Sequence, residues 1–568
     1  MERVNGPLLE VAGLRGVAVL DVIDVGPLHV PAEVVSIQDG RLTAEAFEYT
    51  GGLRVGDGAV SHGRPLSARL GPGLLGGVFD GLLRRLEGGP TWLVPGGFGE
   101  MKSNASWPFR PALVELGADL APGALLGTVT VGSNFEHRIL VPPDAHGTVT
   151  QLAPAGTMGE DDVVAIIGGS PVTLCEEWPV RRARPARERL QPVAPLVTGQ
   201  RVVDLFFPIA HGATAAVPGG FGTGKSMLLQ QIVKWADAEV VVFVGCGERG
   251  NELADAMADL SALVDPTTGT SLRERTVVIA NTSNMPVMAR VASVYTGMTV
   301  AEYFRDMGYR VVVLADSTSR WAEALREFSS RSGELPAEEG YPASLSSSLA
   351  AFYERAARVR TLGGAEGSVT LIGAVSPGGG DMTEPVTSQT VRFVRCLWSL
   401  DRDLAYARHY PAVTWRHSFS LDGETIANWH ASEGRLGWAE ARARALALLA
   451  EADRLDSVVE LVGVSALPAH ERIVLLTGRL LREGVLQQSA MSERDAFCSP
   501  AKQTALLEMV LAVYDRCLAL VDGGLPAAVV EEFDFTAVTR ARDETGPDDA
   551  DGVIRLRDEV LARIAEAS

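Results

Sequence analysis

Residues 218–226 read "PGGFGTGKS", and no other stretch limits the fold of this chain so tightly. It follows the small-residue stretch "HGATAAV" (211–217), and the nine residues themselves have little to bury and neither helical nor strand periodicity. Four glycines let successive backbone N–H groups turn inward, a geometry that suits phosphate oxygens and little else. The pattern Gly219-x-x-x-x-Gly224-Lys225-Ser226 is that of a Walker A loop. In such a loop the lysine reaches the β- and γ-phosphates and the serine hydroxyl ligates Mg²⁺. A glycine-rich turn could match by chance, so the flanking sequence has to decide. Directly after the loop, "KSMLLQQIVKWAD" puts Leu228, Ile232 and Trp235 on one helical face.

From about residue 190 to 425 strands and helices alternate. "EVVVFVG" (239–245) and "RVVVLAD" (310–316) are continuous apolar runs of the kind buried inside a parallel sheet. "TVAE" (299–302) reads as a capping box opening a helix that ends at Gly308. This alternation predicts an α/β domain of the P-loop type with a parallel sheet. The first seventy residues carry short apolar runs between Gly, Asp and Pro and predict a small β-barrel or sandwich. Residues from about 100 to 185 form a second β-rich stretch, ending in the basic run "VRRARPARER" (180–189), which reads as a solvated linker. After about 425, leucines at three- and four-residue spacing predict a C-terminal helical bundle.

A chain of 568 residues exceeds one core, which agrees with several domains. Its net charge of −20 disfavours DNA or RNA as partner. Five cysteines without CxxC spacing point to a reducing compartment, and no histidine has metal-site spacing. No basic, apolar leader opens the chain, and there is no run of about 18 apolar residues. The expectation is an acidic, soluble, cytoplasmic protein that serves any membrane process from the water side.

A magnesium site needs a carboxylate at the end of a neighbouring buried strand, and Asp316 closes "VVVLAD" in that position. A helix-capping aspartate would look the same in isolation. Hydrolysis needs a group to polarise water, and Glu248 in "GCGERGNE" (245–252) follows the "EVVVFVG" strand, at the edge where such sheets place ligands. A capping acid in a tight turn is the alternative. Arg249 beside it is suited to holding that carboxylate or touching phosphate. For a base to stack on, the sequence offers Phe221 inside the loop and Tyr410 in "ARHYPAVTW", though either residue type is more often core than ligand.

Together these segments resemble the catalytic A subunit of V/A-type rotary ATPases. The resemblance rests on "PGGFGTGKS", "VGCGERGNE", "NTSNMPVMAR", "ADSTSRWAEALRE", "PAEEGYP" and "GAVSPGGGDMTEPVT". It extends to "LGPGLLGGVFDG" near the N-terminus and "LREGVLQQSAM" near the C-terminus, so it covers essentially the whole chain in order. It implies an N-terminal β-barrel (1–70), an inserted bulge domain (100–185), a RecA-like nucleotide domain (71–99 and 186–425) and a C-terminal helical bundle (426–568). It also implies catalytic residues Lys225, Glu248 and Arg249, and a metal site of Ser226 and Asp316. The nucleotide would lie on Gly219, Gly220, Phe221, Gly222, Thr223, Gly224, Lys225 and Ser226, with Tyr410 at the adenine.

As partners the resemblance implies three non-catalytic B subunits in alternation with three copies of this chain, plus central and peripheral stalks. Mg²⁺ with ATP or ADP, a trans arginine finger from the neighbouring B chain and coupling to H⁺ or Na⁺ transport follow from the same likeness. Some positions depart from the family: Ser226 replaces threonine, Tyr410 replaces phenylalanine, and Met491 sits where an aromatic is common. Thr223 stands where eukaryotic members have cysteine, and "DGLLRRL" (80–86) replaces "DGIQRPL". The F-type catalytic β chain lacks the insertion, and non-catalytic ring subunits generally lose the loop lysine or the base glutamate. The charge and the insertion disfavour an RNA-translocating or export ATPase.

Overall fold

The computed structural model describes residues 1–87, 96, 105–264 and 269–566. The expected junction between the 71–99 segment and the insertion therefore lies largely outside the described residues.

The N-terminal region is a six-stranded antiparallel sheet. Its strand order is Arg3–Asn5, Leu8–Ala12, Arg41–Ala46, Val30–Gln38, Asp21–Val25, Ala59–Pro65. Alternating residues such as Leu9, Val11, Ile23, Val25, Ala32, Val34 and Leu42 point inward and form a separate apolar cluster. The start of the chain is tied to the loop before the last strand: Gly56 N–H donates to Met1 O at 2.9 Å and the Met1 ammonium donates to Asp57 O at 2.8 Å.

The insertion consists of two four-stranded sheets. One holds Ser106–Pro111, Leu125–Val131, Phe135–Leu140 and Gly156–Gly159; the other holds Asp119–Leu120, Gly147–Leu152, Val163–Ile167 and Ser170–Thr173. The chain leaves it through Glu176–Pro179, which pairs antiparallel with Ser67–Leu70.

The central sheet runs in the order Phe419–Ser420, Cys396–Leu397, Thr214–Pro218, Glu366–Val375, Arg310–Asp316, Val240–Glu248, Thr276–Thr282, Val78–Phe79. Every neighbouring pair from Cys396–Leu397 to Val78–Phe79 is parallel. Helices Lys225–Trp235, Val287–Asp306 and Thr318–Ser332 pack against it. The C-terminal helices, among them Trp438–Val462, Ala469–Leu481 and Pro500–Asp522, share one apolar cluster with the helix after the loop. The expected multidomain class, β-barrel, β-rich insertion, parallel α/β sheet and helical bundle, is thus the observed one. Among the described residues no helix is long and apolar enough to cross a membrane.

The structure corrects three local readings. "TVAE" does not open a helix: Thr299 and Glu302 lie inside the helix Val287–Asp306, which begins after Pro286. Their polar atoms serve tertiary contacts instead. Thr299 Oγ1 donates to Val180 O at 3.1 Å, and Glu302 takes both Nε and Nη2 of Arg355 at 3.0 and 2.6 Å. The helix ends as expected, with Gly308 at φ +90°.

The basic run at 180–189 is no solvated linker. The Arg184 side chain is 4% exposed and pairs with Glu176 at 2.6 Å and Asp306 at 2.7 Å. Arg181 reaches Glu33 of the barrel at 2.9 Å, and Arg182 reaches Asp144 of the insertion at 3.0 Å. The run fastens three regions together, and charge alone could not reveal its partners. "HGATAAV" contains most of the fully buried central strand Thr214–Pro218. Its period is invisible because both faces of the sheet are covered. After the loop, Leu228, Leu229, Ile232 and Val233 are the buried face, while half-buried Trp235 lies against Phe497 with ring centroids 5.2 Å apart.

Candidate functional site

The loop Gly219–Ser226 joins the carboxyl end of Thr214–Pro218 to the helix Lys225–Trp235. Gly224, at the N-cap of the helix Lys225–Trp235, adopts φ +84°, the left-handed conformation that a side chain resists. Gly219 is required by crowding. A Cβ there would lie 2.8 Å from Leu400 Cβ and 2.8 Å from Thr223 Oγ1. The buried Thr223 hydroxyl closes the loop by donating to Gly220 O at 2.8 Å.

The Lys225 ammonium hydrogen-bonds Ser376 Oγ and lies 3.4 Å from Val375 O, at the end of the neighbouring strand. Burial lowers its pKa, and the nearby carboxylates of Asp316 and Glu248 oppose that shift. A partly buried cation in this position is ready to exchange the serine for an anionic oxygen. Ser226 Oγ stands 3.5 Å from Asp316 Oδ2. A hydroxyl and a carboxylate at that separation are hard oxygen donors of the kind that would suit a Mg²⁺ ion. Among the described residues no group of three or more His, Cys, Asp or Glu could hold a metal by itself.

Glu248 ends its strand, beside Asp316's strand. Arg249 follows, exposed, at the start of the helix Gly250–Ala262. Lys225, Ser226, Glu248 and Asp316 therefore gather at the carboxyl edge of the parallel sheet. Sequence reasoning missed three neighbours. Ser376 became visible only because Glu366–Val375 runs between the loop strand and the Asp316 strand. Arg320 and Arg290 flank Gly247, where a Cβ would lie 2.8 Å from Arg320 Cβ and 3.4 Å from Arg290 Cδ. Arg320 follows Asp316 by four residues in "ADSTSR", and that proximity was the available signal.

The two aromatics are placed differently. Phe221 is 96% exposed at the loop tip. Tyr410 is 42% exposed and lies beside the loop, its ring carbons Cε1 and Cδ1 3.2 and 3.3 Å from where a Cβ on Gly224 would sit. Met491 is exposed, three residues beyond the Gln488 that backs Tyr410.

Known families match the chain in three consecutive pieces. Residues 99–181 match the barrel-sandwich domain of ATP synthase alpha/beta subunits, and 199–420 match the nucleotide-binding domain of the ATP synthase alpha/beta family. Residues 427–529 match the C-terminal domain of V and A type ATP synthase. The chain is 48% identical over 550 residues to the V-type ATP synthase alpha chain of Nitrosococcus oceani, covering 95% of this chain and 93% of that one. It is 43% identical over 575 residues to the V-type ATP synthase alpha chain of Halothermothrix orenii, covering 99% and 97%. The chain belongs to the V/A-type ATP synthase alpha-chain family.

The assembled ATPase EscN of the enteropathogenic E. coli type III secretion system shares the fold, with a TM-score of 0.64 over 90% of this chain and 98% of that chain. At 22% identity that likeness concerns architecture alone.

Proposed function

We propose that this chain is the catalytic component of a V/A-type rotary ATP synthase or ATPase, hydrolysing or forming ATP at the edge of its central sheet. The observation that carries the reading is the convergence of Lys225, Ser226, Glu248 and Asp316 on the loop Gly219–Ser226. The triphosphate lies on the N–H groups of Gly219, Gly220, Phe221, Gly222, Thr223 and Gly224, with Lys225 against the β- and γ-phosphates. Glu248 polarises the attacking water, and Arg249 steadies that carboxylate or the departing phosphate. Ser226 and Asp316 hold Mg²⁺, which when bound supplies positive charge to the phosphate oxygens. Tyr410 offers a ring face to the adenine.

The functional division is barrel 1–70, insertion 100–185, nucleotide domain 71–99 with 186–425, and bundle 426–568. The working form is a ring in which this chain alternates with a non-catalytic B subunit. That partner supplies an arginine in trans, and central and peripheral stalks link the ring to H⁺ or Na⁺ transport. The chain thereby belongs to the water-side head of a membrane-associated complex. The test is MgATP turnover by the chain alone and with its B-type partner, each with and without Glu248→Gln. Turnover that needs the partner and vanishes with the substitution supports the reading; strong turnover by the chain alone overturns the heteromeric ring.

A further inference from the structure

Tyr410 is held from the C-terminal bundle. The Gln488 N–H donates to Tyr410 O at 2.8 Å. Gln488 itself is fixed on every polar atom of its side chain. Its Nε2 donates to Gly199 O and Asp495 O, each at 2.8 Å, and its Oε1 accepts from Arg201 N–H at 2.8 Å. Arg201 is fully buried and clasps the same segment. Its Nε donates to Val485 O at 2.7 Å, its Nη2 to Gln487 O at 2.6 Å, and its Nη1 pairs with Asp495 at 2.7 Å. Asp495 also accepts from Ser489 N–H at 2.7 Å and pairs with Arg542. Residues 199–201, which open the nucleotide domain's core, thus grip residues 485–496, and that segment in turn holds the backbone of Tyr410.

We infer that Gln488, backed by the Arg201–Asp495 ion pair, is a positioning residue that sets the Tyr410 ring against the phosphate loop and thereby tunes affinity for the base half of the nucleotide. This rests on the reading of Tyr410 as the adenine platform. Among the described residues no hydrogen bond of Gln488 or Arg201 reaches the loop residues 219–226, so neither side chain holds the loop directly.

The experiment compares the binding of MgATP and of Mg-tripolyphosphate, which has phosphates but no base, to the full chain. Gln488→Leu weakens MgATP about tenfold, the value of one base stack, and leaves tripolyphosphate within about twofold. Gln488→Glu, which keeps the side chain's size and removes its donors, gives the same direction if the leucine variant does not fold. Equal weakening of both ligands marks a structural role and overturns the inference, as does no change in either. Tyr410→Ala separates the two ideas. If it lowers the preference for MgATP and the Gln488 variants do not, the positioning role fails while the adenine platform stands. If Tyr410→Ala leaves the preference unchanged, the platform fails and the inference with it.

Discussion

The proposed phosphate end of the site comes from one run of nine residues and the ends of three parallel strands, whereas its proposed base end is Tyr410, whose backbone is gripped from residues 485–496. Local geometry suffices for the first. Glycines with positive φ, a helix start and a half-buried lysine make an anion site wherever a parallel sheet presents them. The second has no such local code, because an aromatic ring binds a base only if something else fixes it. On the proposed function, one half of the ligand would be recognised by a motif and the other half by packing between the phosphate-loop region and residues 485–496.

The sharpest way to divide the halves is chemistry without binding. Glu248→Gln keeps the site's shape and removes a charge, so MgATP affinity stays within a few-fold while turnover falls about 10³-fold, within the range for a lost general base. Steady-state turnover of the complex beside nucleotide titration checks this; turnover near wild type removes Glu248 as the base.

Cutting the support of the base half comes next. Asp495→Ala leaves Arg201 buried without its carboxylate and costs about 3–5 kcal/mol of stability. Denaturant unfolding followed in the C-terminal bundle reads that loss, and an unchanged midpoint contradicts the role assigned to the pair. Lys225→Ala acts on the opposite half. It weakens MgATP and tripolyphosphate together, by about 30-fold, or about 2 kcal/mol. A loss confined to MgATP would place Lys225 on the base side and dissolve the division.

The smallest effect lies outside both halves and serves as their control. Glu45 is 0% exposed between the barrel and the nucleotide domain, and neither of its carboxylate oxygens has a hydrogen-bond partner among the described residues. Burial raises its pKa from 4.5 to about 7, with Arg331 partly opposing the shift. A carboxyl that holds its proton more tightly when folded adds stability below the unfolded value, and that stability is lost as pH rises from 4.5 to 7. Glu45→Gln removes the titration, so its stability relative to the parent is greater at pH 8 than at pH 5 by about 1–2 kcal/mol. Thermal melts at the two pH values measure this, while the MgATP-to-tripolyphosphate preference stays put. Equal differences at both pH values exclude Glu45 as the titrating group.

What could be read ahead of the structure follows the same division. "PGGFGTGKS", the strand ending in Asp316 and the strand running into Glu248 carry their meaning in contiguous residues. So do the leucine spacings of the bundle and the short apolar runs of the barrel. Where a polar residue's partner is distant, local patterns misled. "TVAE" imitated a cap although Glu302 belongs to Arg355, fifty-three residues away. The basic run 180–189 imitated a solvated linker although Arg184 is buried between Glu176 and Asp306. The strand Thr214–Pro218 hid because a strand covered on both faces has no alternation to show.

The sequence by itself determined the class of fold, the family and the phosphate loop, since each is encoded in short-range periodicity or in a motif whose backbone geometry follows from its glycines. Only the tertiary structure decided that Ser376 meets Lys225, that Arg290 and Arg320 flank Gly247, and that Gln488 holds Tyr410. Those pairings arise from strand order and domain packing, which bring together residues far apart in the chain, and no local pattern records them.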